Sequence, residues 1–232
     1  MLLTARYVLP IATPHIENGA VLVRDDRIVE IGEFDRLREL HPDEPVKDFG
    51  LAVLLPGFVD LHTHLEYTAM RGLVDDLPYS SWKYQLLQKE QRFDSQDWDD
   101  SALLGALEAL QSGITTIADV TSTGASGHAA QAAGLRAHIY RELATMDKRE
   151  VASTMDRATD DIDAWRATTD SDRITIGIAP HAPYSCHPEL FKRVAEYAQD
   201  GTPVSLHLAG SKEEYQFVKY GSSMLATDVR DV

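Results

Sequence analysis

The sequence predicts an α/β fold in which strand–helix units form a parallel barrel behind a small β domain. Helical segments end on glycine and run straight into short apolar stretches, and strands that alternate with helices through short connections indicate parallel βαβ units. Several of these stretches carry large aliphatic residues on one face and small residues with a terminal histidine on the other. That pattern suits a barrel strand whose aliphatic face packs against outer helices.

Residues 1–55 lack this alternation and predict the small β domain. The segments Gly19–Arg24 and Arg27–Gly32 flank a two-residue acidic turn, which is a β-hairpin signal. Phe34–Leu40 is then expected to form one short helix. A Pro-Gly step marks the domain boundary, so that residues 56–232 make up the second domain.

Five strand–helix units are predicted in this second domain. Their strands lie near residues 58–64, 114–119, 135–142, 173–181 and 203–209. Three of the helices end on Gly113, Gly134 and Gly201, and glycine tolerates the left-handed conformation that closes a helix. A long connection, from Glu66 to Asp94, follows the first strand, and such loops lie over active sites. The acidic stretch that begins at its end predicts a helix cap rather than a cation site.

Four histidines stand at the ends of predicted strands. His62 and His64 are spaced i, i+2, so on a strand their rings point to the same face and can converge on one divalent cation. His181 and His207 end two later strands. A core histidine with satisfied hydrogen bonds is the usual explanation for any one of them. Their common position at strand ends favours a metal site instead.

These residues resemble the motifs of a known family. The stretch from Leu55 to His64 is similar to the first barrel strand of the amidohydrolase superfamily, and the hairpin Gly19–Gly32 to its N-terminal β-sandwich. Pro180–Ser185 and His207–Ala209 are similar to its later strand-end motifs. The metal-dependent deaminase and chlorohydrolase branch, with the adenosylhomocysteine, aminofutalosine and guanine deaminases, is the most similar. The resemblance implies a (β/α)8 TIM-type barrel, here its first five units, behind a small β-sandwich.

The resemblance also implies roles for individual residues. By position, His62, His64 and His207 become ligands of a divalent metal, with zinc as the expected ion, and His181 becomes a residue that orients the substrate. Glu66 lies in a Leu-Glu step similar to that of the aminofutalosine-type deaminases. It is expected to contact substrate, although an exposed loop glutamate explains it equally well.

The chain departs from the family in two respects. Its deaminases place a proton-shuttling glutamate three residues beyond the histidine of the fifth strand, where this chain has Gly210. Glu213 and Glu214 follow, but on a helix they lie about a turn further away, so the catalytic residue is left unassigned. A barrel with a sandwich needs roughly 350–450 residues, since a barrel alone is about 250. The chain ends at Val232, so we expect a fragment, or a protein whose other half lies elsewhere.

The leading hypothesis is a metal-dependent hydrolase that removes an amino group from a purine-like or related heterocycle with metal-activated water. A hydrolase of cyclic amides or of C–Cl bonds is the alternative, because the same attack serves many leaving groups. A non-catalytic relative that binds metal or ligand is a third reading. Glu142, near the end of the third strand, is expected either to reach the same pocket or to belong to an internal polar network. A small-molecule partner is expected and a homo-oligomer is compatible with the sequence, which names neither substrate nor metal.

Composition excludes other classes. The formal net charge of −15 at pH 7 argues against nucleic acid, whose binding depends on lysine and arginine that neutralise phosphates. No uncharged apolar run approaches the roughly 18 residues of a membrane span, and no signal peptide is evident. Cys186 is the only cysteine, which predicts a cytoplasmic protein without an internal disulfide.

Overall fold

A computed structural model of the protein describes residues 1–222 and Leu225. The chain divides into two compact units, residues 1–57 and 58–232. The elements of the first unit are β1 Leu2–Val8, β2 Ile16–Arg24, β3 Arg27–Glu33, α1 Phe34–Leu40, β4 Val46–Asp48 and β5 Val53–Leu54. Strands β2 and β3 pair antiparallel, which confirms the predicted hairpin, and α1 has the predicted bounds.

The strands of the first unit form one five-stranded sheet, in the order β3-β2-β1-β4 with β5 beside β1. Helix α1 supplies the cover for this sheet, because its Leu37 is fully buried with Leu2, Ala20 and Leu22. In a sandwich a second sheet would take that place. Residues 1–57 by themselves therefore do not form the expected β-sandwich.

The second unit is a mixed α/β arrangement around a parallel sheet. Its elements are β6 Phe58–Thr63, α2 Tyr79–Glu90, α3 Ser95–Gln111, β7 Ile114–Thr121, α4 Ala125–Ala133, β8 Arg136–Leu143, α5 Val151–Thr168, β9 Ile174–Pro180, α6 Pro188–Tyr197 and α7 Lys212–Tyr220. The sheet runs β6-β7-β8-β9, and every neighbouring pair in it is parallel. This confirms the predicted parallel α/β class and four of the five predicted strands.

The fifth predicted strand, residues 203–209, is wrong as a regular strand. It contacts β9 through one isolated parallel bridge, between Ile178 and Val204. Pro203 has no N–H to donate to a ladder, and Ala209 adopts a left-handed φ of 58°. The segment nevertheless follows the edge of β9, because its Ser205 and His207 amides donate to carbonyls at and just beyond that strand.

The connection after β6 is more ordered than a loop. A 3-10 turn, Leu65–Met70, comes directly after His64, and α2 occupies much of the remainder. Asp94 then caps α3, since its carboxylate accepts hydrogen bonds from the amides of Gln96 and Asp97 at 2.9 and 3.0 Å. The prediction of a helix cap in this acidic stretch is confirmed.

The main core lies between the parallel sheet and the helices that cover it. Ile117, Ile139 and Ile176 are buried from the sheet side. Residues from α3 to α6 complete the cluster, among them Ala106, Ala130, Ile162 and Leu190. Packing on this face fixes the strands. Side chains at the carboxyl ends of the strands are therefore held in place at that end of the sheet. Among the described residues, no helix is both long and apolar enough to cross a membrane.

Candidate metal centre

Three of the histidines singled out in the sequence lie together at the carboxyl end of the sheet. His62 and His64 come from β6 and its end, and His207 from the segment beside β9. One ring nitrogen from each lies within 4.8 Å of those of the other two. The closest approach is 3.1 Å, between Nε2 of His64 and Nε2 of His207.

The hydrogen bonds of these rings determine which nitrogen is free. Nδ1 of His64 donates to the carbonyl of Val120 at 2.8 Å, and Nδ1 of His207 donates to the carbonyl of His181 at 3.0 Å. A neutral imidazole has one N–H, so both Nε2 atoms carry lone pairs and cannot hydrogen-bond to each other. Two nitrogens bound to one tetrahedral zinc lie about 3.3 Å apart. The donor set therefore fits a divalent cation between the two rings.

The surroundings also favour neutral rings at His64 and His207, as metal ligation requires. Burial, with the nearby His207 and His62 rings, lowers the pKa of His64 to about 4. Burial likewise lowers the pKa of His207. Carbonyl partners on Nδ1 are the usual means of orienting metal-binding histidines. The sequence spacing placed two rings on one face, and the carbonyls turn them towards a common point.

His181 lies beside this cluster, with its ring centre 5.1 Å from that of His207. The residue is buried, and its Nδ1 is 2.6 Å from the hydroxyl of Ser185. Burial lowers its pKa to about 3, with Lys83 as the next cause. His181 is thus a neutral ring held in one orientation next to the three clustered histidines; its ring bonds to Ser185, while its backbone carbonyl accepts from His207.

Glu142 reaches the same region from the end of β8. One of its carboxylate oxygens lies 3.8 Å from Nδ1 of His207, and ligand atoms of Glu142, His181 and His207 all lie within 4.8 Å of one another. Burial raises the pKa of Glu142 to about 7. Its Oε1 is buried without a hydrogen-bond partner among the described residues. The alternation of side chains along the predicted third strand was enough to indicate Glu142 as a residue near the pocket.

Glu66 is not an exposed loop glutamate, so that reading is wrong. The 3-10 turn after His64 folds it inward, where it is 1% exposed. Its carboxylate accepts hydrogen bonds from the hydroxyls of Thr121, Ser122 and Thr123, at 2.5, 3.1 and 2.7 Å. These hydrogen bonds connect the segment after His64 to the end of β7. Contact between Glu66 and substrate stays a prediction.

Gly210 lies at the start of α7, and the carboxylate of Glu214 folds back onto it. Oε2 of Glu214 accepts a hydrogen bond from the Gly210 amide at 2.8 Å, and Ser211 caps the helix by accepting from the Glu214 amide at 3.1 Å. Sequence reasoning placed Glu214 too far away. The Ser-x-x-Glu spacing of a capping box was the signal that it missed, because that motif turns the glutamate back towards the helix start.

Comparison with known proteins identifies the relatives of this chain. The amidohydrolase family matches residues 53–228, and an imidazolonepropionase-like composite domain of bacteria matches residues 19–43. A 5-methylthioadenosine/S-adenosylhomocysteine deaminase of Moorella thermoacetica is 34% identical over 229 residues, which is 94% of this chain and 52% of that protein. A 5'-deoxyadenosine deaminase of Methanosarcina barkeri is 31% identical, covering 88% and 47%.

Solved structures agree in fold. Helicobacter pylori aminofutalosine deaminase, in complex with methylthio-coformycin, matches 97% of this chain and 54% of its own, with a TM-score of 0.83 and 22% identity. An adenosine deaminase of Xanthomonas campestris with bound zinc matches 99% and 54%, with a TM-score of 0.70 and 25% identity. The chain spans about half the length of the curated relatives it matches.

Proposed function

The chain belongs to the amidohydrolase family, and from that premise we propose that it is part of a metal-dependent hydrolase that deaminates a purine-like substrate. The names of its relatives favour adenosine nucleosides altered at the 5′ position. The four parallel strands and the segment beside β9 would be the first five strands of a (β/α)8 barrel. The N-terminal sheet would be part of the family's β-sandwich.

One observation carries the proposal: two imidazole lone pairs face each other 3.1 Å apart. His62, His64 and His207 would hold a divalent cation, and zinc suits three histidines with an open position. When bound, the cation supplies a Lewis acid that lowers the pKa of water towards about 7. The backbone carbonyls of Val120 and His181 keep the two facing rings in the ligating tautomer.

The remaining residues of the pocket act on the substrate. His181 would orient the heterocycle, because its bond to the Ser185 hydroxyl fixes the ring and burial keeps it neutral. Ala182 and Tyr184 are buried close by, with Tyr79 partly buried against them, and the Tyr79 and Tyr184 hydroxyls are 2.7 Å apart. This aromatic wall would exclude water from one side of the bound ring.

Metal analysis and ammonia release from the intact protein test this proposal. We expect about one zinc per chain, and ammonia from 5'-methylthioadenosine, S-adenosylhomocysteine or 5'-deoxyadenosine that ceases when the metal is chelated. His207→Ala should lose both the metal and the activity, since only two histidine ligands, His62 and His64, then remain for the cation. His138→Ala, which replaces an exposed histidine on β8, is the matched control and should keep both.

Two other outcomes would contradict the proposal. Zinc bound equally well by the wild type and by His207→Ala would exclude the proposed centre. Turnover of a cyclic amide or a chlorinated triazine, without release of ammonia from any nucleoside, would contradict deamination. It would support the alternative function, hydrolysis of cyclic amides or of C–Cl bonds.

A further inference from the structure

Hydrolytic deamination moves two protons, and this inference rests on the proposed function. Water adds to the ring carbon through its oxygen, and the bond from that carbon to the amino nitrogen breaks. One proton of the water goes to the ring nitrogen and the other to the leaving amine, which departs as ammonia. A positioned side chain usually carries such protons. Gly210 has no side chain with which to do so.

Two carboxylates close to the histidine cluster have other tasks. The Glu66 carboxylate is engaged by three hydroxyl groups. Asp119 is fully buried and accepts a hydrogen bond from the Leu65 amide at 2.7 Å, so it holds the turn after His64. The Oδ1 of Asp119 is buried without a hydrogen-bond partner among the described residues.

Glu142 and Glu214, like Asp119, each keep one buried oxygen without a hydrogen-bond partner among the described residues. The three carboxylates differ in the groups that they face. Glu142 faces Nδ1 of His207 at 3.8 Å, which is the edge of that ring turned away from His64. Glu214 is the one of the three whose other oxygen is held by the backbone amide at position 210.

The carboxylate of Glu214 lies next to the glycine at position 210. A Cβ built on Gly210 would lie 3.7 Å from Oε2 of Glu214, about as far as a glutamate side chain reaches from its own Cβ. Glu214 is 2% exposed, and the Gly210 amide holds its Oε2 at 2.8 Å. Oε1 is left for another partner. The carboxylate thus occupies space that a longer side chain at 210 would need.

The helix that carries Glu214 lies beside the aromatic wall, because Phe217 on α7 packs against the cluster of Ala182 and Tyr184. Burial lowers the pKa of His207, and the charge of Glu214 works against that change. Burial also raises the pKa of Tyr184, and Tyr79 and Glu214 add to the increase. Glu214 therefore acts on a residue of the histidine cluster and on a residue of the aromatic wall.

We propose that Glu214 is the proton carrier of this hydrolase, in place of a side chain at position 210. Its Oε1 takes a proton from the attacking water and delivers it to the ring nitrogen. It then takes the second proton and delivers it to the leaving amine, so that the carboxylate is regenerated. The Gly210 amide keeps Oε2 fixed, which holds Oε1 in one place through both transfers.

Kinetics of Glu214→Gln in the intact, metal-loaded protein test the proposal. Glutamine retains an oxygen that can accept from the Gly210 amide but cannot carry a proton. We expect kcat to fall by about 10²–10⁴-fold, the acidic limb of the pH profile of kcat to disappear, and metal content and Tm to match the wild type. Glu213→Gln, which changes the half-buried neighbour, should leave the rate and the profile unchanged.

A rescue variant provides the second arm. Gly210→Glu in the Glu214→Gln background should recover at least tenfold in kcat, since it returns a carboxylate to the same space. Wild-type kinetics in Glu214→Gln would overturn the proposal, and so would a loss accompanied by lower Tm or metal content, which marks a structural anchor. A wild-type protein that releases no ammonia from any nucleoside would instead refute the proposed function itself.

Discussion

At the scale of single residues, sequence and structure agree best where chemistry depends on local geometry. The i, i+2 spacing of His62 and His64 was enough to place both rings on one face, because strand alternation is a local property. The burial of Glu66 could not be foreseen in the same way, because its carboxylate bonds to residues at the end of β7, far along the chain. The inward turn of Glu214 towards Gly210 does have a local signal, the Ser-x-x-Glu spacing at the start of α7.

The buried ring of His181 predicts a pH dependence of stability. Its pKa is about 3 in the folded protein, mainly because of burial, against about 6.5 in an unfolded chain. Between these values the unfolded state binds the extra proton, so the free energy of unfolding falls as the pH falls from about 6.5 towards 3. The slope from this one group is at most about 1.4 kcal/mol per pH unit.

His181→Gln removes this contribution. The free energy of unfolding of chelator-treated protein is measured by urea denaturation at pH 7 and at pH 5. Its decrease from pH 7 to pH 5 should be about 2 kcal/mol smaller for His181→Gln than for the wild type. His138→Gln, at an exposed position, is the control and should follow the wild type. Identical losses in all three proteins would mean that His181 is not held neutral by the fold.

At the scale of elements, the sequence predicted well the four strands that pair in continuous ladders. Strands β6 to β9 lie within a few residues of their predicted bounds, since each combines an aliphatic face with a glycine-terminated helix before or after it. The segment 203–209 has the same pattern and still forms only one bridge. Its pairing is limited by the proline at its start and the left-handed residue at its end, which a hydrophobic pattern does not report.

Gly177 on β9 has no side chain, and this allows the segment 203–209 to approach the strand closely. A Cβ at position 177 would lie 2.6 Å from the carbonyl oxygen of Pro203 and 2.7 Å from a ring carbon of Tyr140. A backbone oxygen cannot move away cheaply, so Gly177→Ala should push the segment and its His207 outward. We expect a loss of about 1–3 kcal/mol in stability and at least a tenfold weaker zinc affinity in a competition titration.

Gly127→Ala is the matched control for that substitution. It lies on α4, where a Cβ would meet only a methyl carbon of Thr169 at 3.7 Å, which is an ordinary contact. Its zinc affinity should equal that of the wild type. Equal affinity in Gly177→Ala as well would show that His207 does not depend on the close approach of the two segments.

At the scale of the whole molecule, the two outer members of the parallel arrangement carry exposed apolar side chains. Val59 and Leu61 on β6 are 58% and 79% exposed, and Leu208 beside β9 is 66% exposed. Strands of all-parallel sheets are usually buried on both faces, and open strand edges pair readily with other chains. The curated relatives have about twice the length over which this chain matches them.

A polypeptide of residues 1–232 alone should therefore self-associate. Sedimentation velocity at micromolar concentration should show species larger than the 25.8 kDa chain, because the two apolar edges can cover each other in trans. Leu61→Lys with Leu208→Lys should reduce this association, since a charge on an edge opposes pairing. Leu51→Lys, at a 96% exposed position in the first unit, should leave it unchanged. A monodisperse monomer, or an equal effect of Leu51→Lys, would show that these edges do not drive association.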